Sequence, residues 1–261
     1  MHKFLNNFFA ALFFTFSVSS IAQEGVKNPT PVMTKGKISG KIMLVPFEPK
    51  LYMSTIDQNI NKTSHWNFNQ IRENFRRQLD AQLKLTLQTY GTVVSFYTDS
   101  AKMAKDLNYI YNSTSLSYDL IEKPSNPIVS TTSKNTNIKN GQLAVEIGQD
   151  KKFMNTKIIN TEVLSYLNKK YTSDHFVFIN ELDINTNPDS YNINTDTYLR
   201  DVTVHYSILD KTGKLINAGA AVSTFSSKIN EPKKIVAQAF FPIATYIATK
   251  YNTLIKSTPS K

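Results

Sequence analysis

Three short apolar runs, separated by helix-like segments, constrain the fold of this chain more than any other feature. They are KIMLVPF (41–47), TVVSFY (92–97) and HFVFIN (175–180), each nearly continuous and of strand length. A strand with one face in water alternates apolar and polar residues, whereas a continuous apolar run is buried on both faces. We therefore expect three central strands in a sheet that is covered on both sides.

The remaining segments predict helices around that sheet and a hairpin near its end. Apolar residues recur at threes and fours before Gly91, which favours a long helix over about 68–90. Shorter helices are expected after 99, at 161–170 and from Glu231–Pro232 onward, the last one kinked by Pro242. Residues 201–208 alternate, and the turn DKTGK (210–214) leads into a return strand at 215–226. The predicted fold is α/β: a layered sandwich of a mixed sheet with helices packed on it, including a C-terminal antiparallel hairpin and a final helix.

The amino-terminal residues have the three parts of a secretory signal. Lys3 supplies a positive charge, residues 8–18 form an uncharged apolar run, and Ser20-Ile21-Ala22 offers small residues for cleavage. We expect a signal peptide at 1–22, a flexible leader at 23–38 and a single α/β domain at 39–255. That domain carries an irregular insertion around 112–160, and a disordered tail follows at 256–261. The protein is accordingly expected to be exported, either periplasmic or extracellular, with no transmembrane segment in the mature chain.

Composition excludes some chemistries and leaves others open. The chain has no cysteine, which excludes disulfides, thiolate catalysis and cysteine-bound metals, and we expect no lipid anchor. The formal net charge of +10 would attract an anionic lipid or glycan. Its basic residues are scattered in pairs along the chain, as on an ordinary solvated surface, so nucleic acid is not expected as a partner.

The motif with the most ligand-like spacing is DINTNPD, where Asp183, Asn185, Asn187 and Asp189 place oxygens at alternate positions. Calcium loops use that spacing, but Pro188 stands where such a loop needs glycine. A polar turn after a strand explains the segment equally well, so these four residues are weak metal candidates. Ligands of α/β proteins bind beyond the carboxyl ends of strands, which makes the vicinity of Glu48 and Asp183 the place to expect one.

No catalytic or cofactor-binding signature is present. The sequence has neither a G-x-S-x-G elbow nor a phosphate-binding glycine loop. The histidines of the mature chain, His65, His175 and His205, are far apart in sequence. Asp201 and His205 would share one strand face, but about 13 Å apart at the usual rise, too far for a hydrogen bond. We therefore expect no catalytic residue and no cofactor.

The segments KIMLVPFEPKLYMS (41–54) and HFVFINELDI (175–184), with the hairpin closed by DKTGK, resemble a group of uncharacterised exported proteins of Gram-negative bacteria. The arrangement is similar to the periplasmic α/β domain shared by the curli-secretion protein CsgG and the amino-terminal domain of TolB. The resemblance implies an envelope location and a non-catalytic role in assembly or binding. The lipid-bearing cysteine of the curli protein and the propeller of TolB are absent, so neither specific activity carries over.

The sequence leaves three functions open. The first is a non-enzymatic envelope protein that acts as a binding or assembly module with an envelope protein partner. The second is an envelope hydrolase whose active-site residues are unassigned, and the third is a protein that binds anionic lipid or glycan. A pocket with converging titratable groups would favour the hydrolase, whereas binding that weakens steeply with salt would favour the anionic surface.

Overall fold

The computed structural model describes residues 40–97, 100–120, 138–139, 142–143 and 152–257. The predicted signal peptide and leader lie outside these residues, as does the end of the predicted tail. Helix residues continue to Ser257, two positions into the segment that was predicted to be a tail.

A mixed sheet forms the centre of the molecule and confirms the predicted fold class. In chain order the strands are β1 (Lys41–Val45), β2 (Tyr52–Ser54), β3 (Thr92–Ser95), β4 (Thr114–Leu120), β5 (Ile138–Lys139), β6 (Gln142–Leu143), β7 (Lys152–Ile158), β8 (His175–Asn192), β9 (Thr197–Asp210) and β10 (Leu215–Ser226). The sheet order is β10-β9-β8-β1-β3, with β2 paired to the far part of β8. Strands β1, β3 and β8 are parallel to one another, whereas β8, β9 and β10 form an antiparallel meander.

Helices cover the two faces of this sheet. They are α1 (Asp57–Ser64), α2 (Phe68–Leu87), α3 (Ser100–Asn112), α4 (Glu162–Tyr171), α5 (Pro232–Ile235) and α6 (Phe241–Ser257). The first face packs against α2 and α6 through Phe75, Leu79 and Ile247, which are all fully buried. The second face packs against α3 and α4 in a smaller apolar cluster. The predicted long helix is present, and the side chain of Asn67 caps it by accepting from the Gln70 amide.

The final helical segment contains the irregularity that its proline predicts. A π-helical stretch, Val236–Phe240, separates α5 from α6. Pro242, the second residue of α6, has no amide hydrogen for the usual bond one turn back, to a residue of the π-helical stretch. None of the helices among the described residues combines the length and hydrophobicity needed to cross a membrane.

An acidic side chain fastens the two helices of the second face together. Asp106 of α3 is 5% exposed, and its carboxylate accepts hydrogen bonds from Tyr166, Lys170 and Tyr171 of α4. Burial alone would raise the pKa of Asp106, but the hydrogen bonds from Lys170, Tyr171 and Tyr166 outweigh it and lower that pKa.

The region predicted as an irregular insertion contains an ordered β-hairpin layer. Strands β4 and β7 pair antiparallel over their full lengths, from Thr114 opposite Ile158 to Leu120 opposite Lys152. The pair lies over β8, β9 and β10, with β7 the strand in contact with them. It therefore covers the part of the second sheet face that α3 and α4 leave open.

Candidate functional site

The bulge in strand β8 organises the most polar part of the interior. The register with β9 shifts between Ile179 and Glu181, which leaves Asn180 as an extra residue. Val177 and Ile179 before the bulge, and Leu182 and Ile184 after it, all join the first apolar core. Asn180 and Glu181 consequently both face the β4–β7 pair, and a bulge is the ordinary means of re-aiming side chains in this way.

Asn180 connects the sheet to the main chain of β7. Its Nδ2 donates to the Met154 carbonyl at 2.7 Å and to Ser207 Oγ at 2.8 Å, and its Oδ1 accepts from Thr156 Oγ1 at 2.5 Å. The Thr156 amide in turn donates to Ser207 Oγ at 3.0 Å. Asn180 is 2% exposed and Ser207 fully buried. The interface between the two β-layers is thus a buried, hydrogen-bonded polar layer, in which side chains of β8 and β9 bind backbone atoms of β7.

Next to this layer lies a cluster of titratable groups, of which the sequence motif indicated Asp183 but neither Glu181 nor His205. Candidate ligand atoms of Glu181, Asp183 and His205 lie within 4.8 Å of one another. His205 Nε2 is 3.2 Å from Asp183 Oδ2 and 3.9 Å from Glu181 Oε2. The Tyr118 hydroxyl, from β4, donates to both oxygens of Glu181, at 3.0 and 2.7 Å. Hydrogen bonding between β8 and β9 sets Glu181 directly opposite His205.

Burial controls the electrostatics of this cluster. Glu181 and His205 are 4% and 5% exposed. Burial, and then the nearby charge of Asp183, raise the pKa of Glu181, against the opposing effects of the Tyr118 hydrogen bond and of His205. Burial and the bond to Glu181 likewise raise the pKa of Tyr118. Tyr118 therefore stays a neutral donor, and Glu181 holds a proton more readily than a surface glutamate does.

The tautomer of His205 decides what the cluster can bind. The Met154 amide donates to His205 Nδ1 at 3.0 Å, so Nδ1 carries no hydrogen and the ring hydrogen is on Nε2, facing Asp183. A histidine that ligates a metal through Nε2 carries its hydrogen on Nδ1 and donates it to a neighbour. Here that position already faces a donor. These residues therefore fit a hydrogen-bonded network and do not fit a metal at Nε2.

The predicted calcium residues are distributed along a strand. Asp183, Asn185 and Asn187 lie within β8, each paired across to β9, because the segment continues as a hairpin where we expected a polar turn. Asp183 joins the histidine cluster, while Asn187 donates to Asp201 Oδ2 at 3.0 Å. Asn185 and Asp189 are exposed. The structure does not bring the oxygens of these four residues together around one point.

Glu48 follows the carboxyl end of β1, which is at Val45. It forms an ion pair with Lys50 at 2.8 Å and lines a narrow crevice that also includes Tyr111 and Asn180. The adjoining main chain is held by Arg76, whose Nε donates to the Phe47 carbonyl at 2.7 Å. The side chain of His205 lies at hydrogen-bond distance from Asp183, whereas Asp201 accepts from Asn187.

The apolar pattern of HFVFINELDI does not reveal the cluster. Its apolar positions include 176, 178, 182 and 184, which are all even, so the sequence shows no change of phase. In the structure, Val177 and Ile179 join the same core as Leu182 and Ile184. The bulge that sets Glu181 opposite His205 is therefore visible only in the pairing of β8 with β9.

Comparisons with known proteins give no family for this chain. No family model matches it, and a search of curated proteins finds no match. Among solved structures it is similar to a protein of Caulobacter crescentus CB15 provisionally described as a lipoprotein, with 12% identity and a TM-score of 0.24 over 34% of this chain and 72% of the other. It is also similar to a hypothetical protein from Chlamydia trachomatis, with 10% identity and a TM-score of 0.34 over 84% and 92% of the two chains. At these TM-scores neither likeness assigns a function.

Proposed function

We propose that this protein is an exported, non-enzymatic module of the cell envelope that binds a protein partner by strand addition at β10. The observation that carries the proposal is the composition of this edge strand. Its sequence, LINAGAAVSTFS, contains no charged residue and no proline over 12 residues. The signal-like residues 1–22 support export.

Edge strands of soluble proteins are normally protected against pairing. A lysine, an inward-pointing charge, a proline or a short length keeps another chain from adding to the row of free amide and carbonyl groups. Strand β10 has none of these devices, and its one irregularity of register with β9 is confined to its start, between Leu215 and Asn217. Among the described residues it pairs with β9 alone, and Val222 is 61% exposed on it. A long neutral edge of this kind is what β-augmentation uses, with main-chain bonds supplying affinity.

The cluster around His205 is the observation that would favour the hydrolase alternative, but its geometry supports a structural role. Acid–base catalysis requires a ring nitrogen within hydrogen-bond reach of the substrate. His205 Nδ1 accepts from Met154, and Nε2 faces Asp183. Both nitrogens are therefore engaged within the protein, and the cluster serves to attach β7 to the sheet.

The proposal is tested by cross-linking and affinity purification of the mature protein from its native envelope, with Val222→Lys as the diagnostic variant. Because Val222 is exposed, lysine is tolerated there, but it adds a charge to the edge that a partner strand must cover. The matched control is Leu85→Lys on α2, where leucine is 60% exposed. We expect the wild type and Leu85→Lys to recover the same stoichiometric partner and Val222→Lys to lose it.

Two outcomes would contradict the proposal. One is a partner that Val222→Lys retains at the wild-type level, and the other is no stoichiometric partner at all. Sedimentation of the purified protein separates two kinds of partner. A dimer that Val222→Lys dissociates identifies the added strand as that of a second copy, whereas a monomer requires a different envelope protein.

A further inference from the structure

An open groove lies between the first half of α2 and the residues that follow β3. It has a volume of ≈ 280 Å³ and is lined by Trp66, Gln70, Glu73, Asn74, Arg77 and Tyr97. It is remote in the sheet order from β10, since β3 and β10 are the two opposite edges. Two aromatic side chains, two amides and charges of both signs thus share one concave surface, the composition expected of a site for a small polar ligand.

The groove lies beyond the carboxyl end of β3, which is parallel to β1. Ligands of open α/β sheets bind outside the carboxyl ends of the strands, and this groove is on that edge of the sheet. Tyr97 follows the end of β3, and Trp66 immediately precedes the cap of α2.

The charges in the groove leave one cation available. Glu73 is already engaged, 3.6 Å from Arg72 Nε and 3.7 Å from Arg76 Nη1. Arg76 is buried and stacks on the Tyr97 ring, its guanidinium carbon 5.1 Å from the ring centroid. Arg77 is exposed and has no ion-pair or hydrogen-bond partner among the described residues. The groove therefore presents an unpaired guanidinium beside a ring that is already fixed in place.

The amide donor in the groove is fixed as well. Gln70 Oε1 accepts from the Asn67 amide at 2.9 Å as part of the helix cap. That bond holds the side chain and leaves its Nε2 hydrogens to donate elsewhere. A donor held in place before binding loses little side-chain entropy when the ligand arrives.

We propose that this groove binds an acidic saccharide, with one sugar ring on the indole of Trp66 and its carboxylate on Arg77. The apolar face of a sugar packs on an aromatic ring, a guanidinium suits a carboxylate through paired donors, and Gln70 and Asn74 supply hydrogen bonds to hydroxyls. An anionic membrane or a nucleic acid requires several neighbouring cations. The lining residues that the structure describes offer one, next to the carboxylate of Glu73, which repels a dense row of phosphates.

The single tryptophan of the chain makes the test direct. Because Trp66 is the sole tryptophan, fluorescence excited selectively at tryptophan, beyond the absorption of tyrosine, reports on the surroundings of this one residue. We would titrate the protein with a tetramer of galacturonic acid and, separately, with the neutral tetramer of galactose. We expect a saturable fluorescence change with the acidic sugar and binding at least about 10-fold weaker with the neutral one, because the neutral sugar lacks the charge-assisted bond.

Two variants distinguish binding in the groove from a general effect of the protein's net charge. Arg77→Gln should weaken binding of the galacturonate tetramer by about 10-fold or more. Lys211→Gln makes the same charge change at the exposed β9–β10 turn and should bind like the wild type. The proposal is overturned by the absence of a saturable change, by equal affinity for the two sugars, or by equal losses in the two variants. Displacement of the sugar by vesicles of anionic phospholipid would also overturn it, in favour of a lipid surface.

Discussion

Replacing Asn180 by alanine tests whether the polar layer holds the β4–β7 pair on the sheet. The change removes the bonds to the Met154 carbonyl, to Ser207 and to Thr156, and it leaves these buried groups without water to replace them. At about 1 kcal/mol for each bond, we expect the free energy of unfolding to fall by about 3 kcal/mol. For a chain of this size that corresponds to a melting temperature lower by about 6–12 °C.

Denaturant unfolding and amide exchange together measure this effect. The Thr156 amide should exchange faster in Asn180→Ala, because β7 opens more often once the layer is weakened. Asn187→Ala on the same strand is the matched control; it removes one bond, to Asp201, at a half-buried position and should cost about 1 kcal/mol. If Asn180→Ala costs no more than Asn187→Ala, and the Thr156 amide exchanges as in the wild type, the layer does not fasten β7.

The remaining predictions concern a carboxylate and a close backbone contact. Because the folded state lowers the pKa of Asp106, the stability that it contributes is present above the ordinary aspartate pKa of about 4 and is lost as the pH falls below it. Asp106→Asn should therefore lower the free energy of unfolding at pH 7 by about 2 kcal/mol and flatten its dependence on pH below about 4, as denaturant unfolding over a pH series would show; an unchanged pH profile would contradict this. Gly91→Ala should cost about 1–3 kcal/mol by the same measurement, because a Cβ there would lie 2.6 Å from the Gly40 carbonyl oxygen. Gly219→Ala, where the nearest atom is at 3.8 Å, is its control and should change the value by less than about 1 kcal/mol, and equal losses at the two positions would refute the contact argument.

The helices and strands that pack against the apolar core could be predicted from the sequence, because their apolar residues follow a regular spacing. The stripe on α2 is one case, since Ile71, Phe75 and Leu79 are all buried as their spacing requires. The continuous apolar runs gave the three parallel strands for the same reason. One end of the predicted stripe differs: Phe68, the first residue of α2, is 50% exposed.

The parts that depend on polar burial could not be predicted in this way. Alternation along β9 assigned His205 and Ser207 to a solvent-facing surface, yet they are 5% and 0% exposed. The covering layer binds them through hydrogen bonds, so its own strands carry serine, threonine and asparagine and show little hydrophobic pattern. A strand that faces a buried polar layer alternates polar and apolar residues in the same way as a strand that faces water. That equivalence concealed the position of the β4–β7 pair on the sheet and the burial of His205 beneath it.

The way the sheet holds β7 also limits how the protein can change. Asn180 and His205 bind the carbonyl and the amide of Met154, and Ser207 binds the amide of Thr156. Main-chain atoms are the same for nearly every amino acid, so substitutions along much of β7 leave these attachments intact. Inserting or deleting a single residue within β7 would displace every attachment at once. Over evolutionary time this strand should therefore tolerate changes of residue type far better than changes of length.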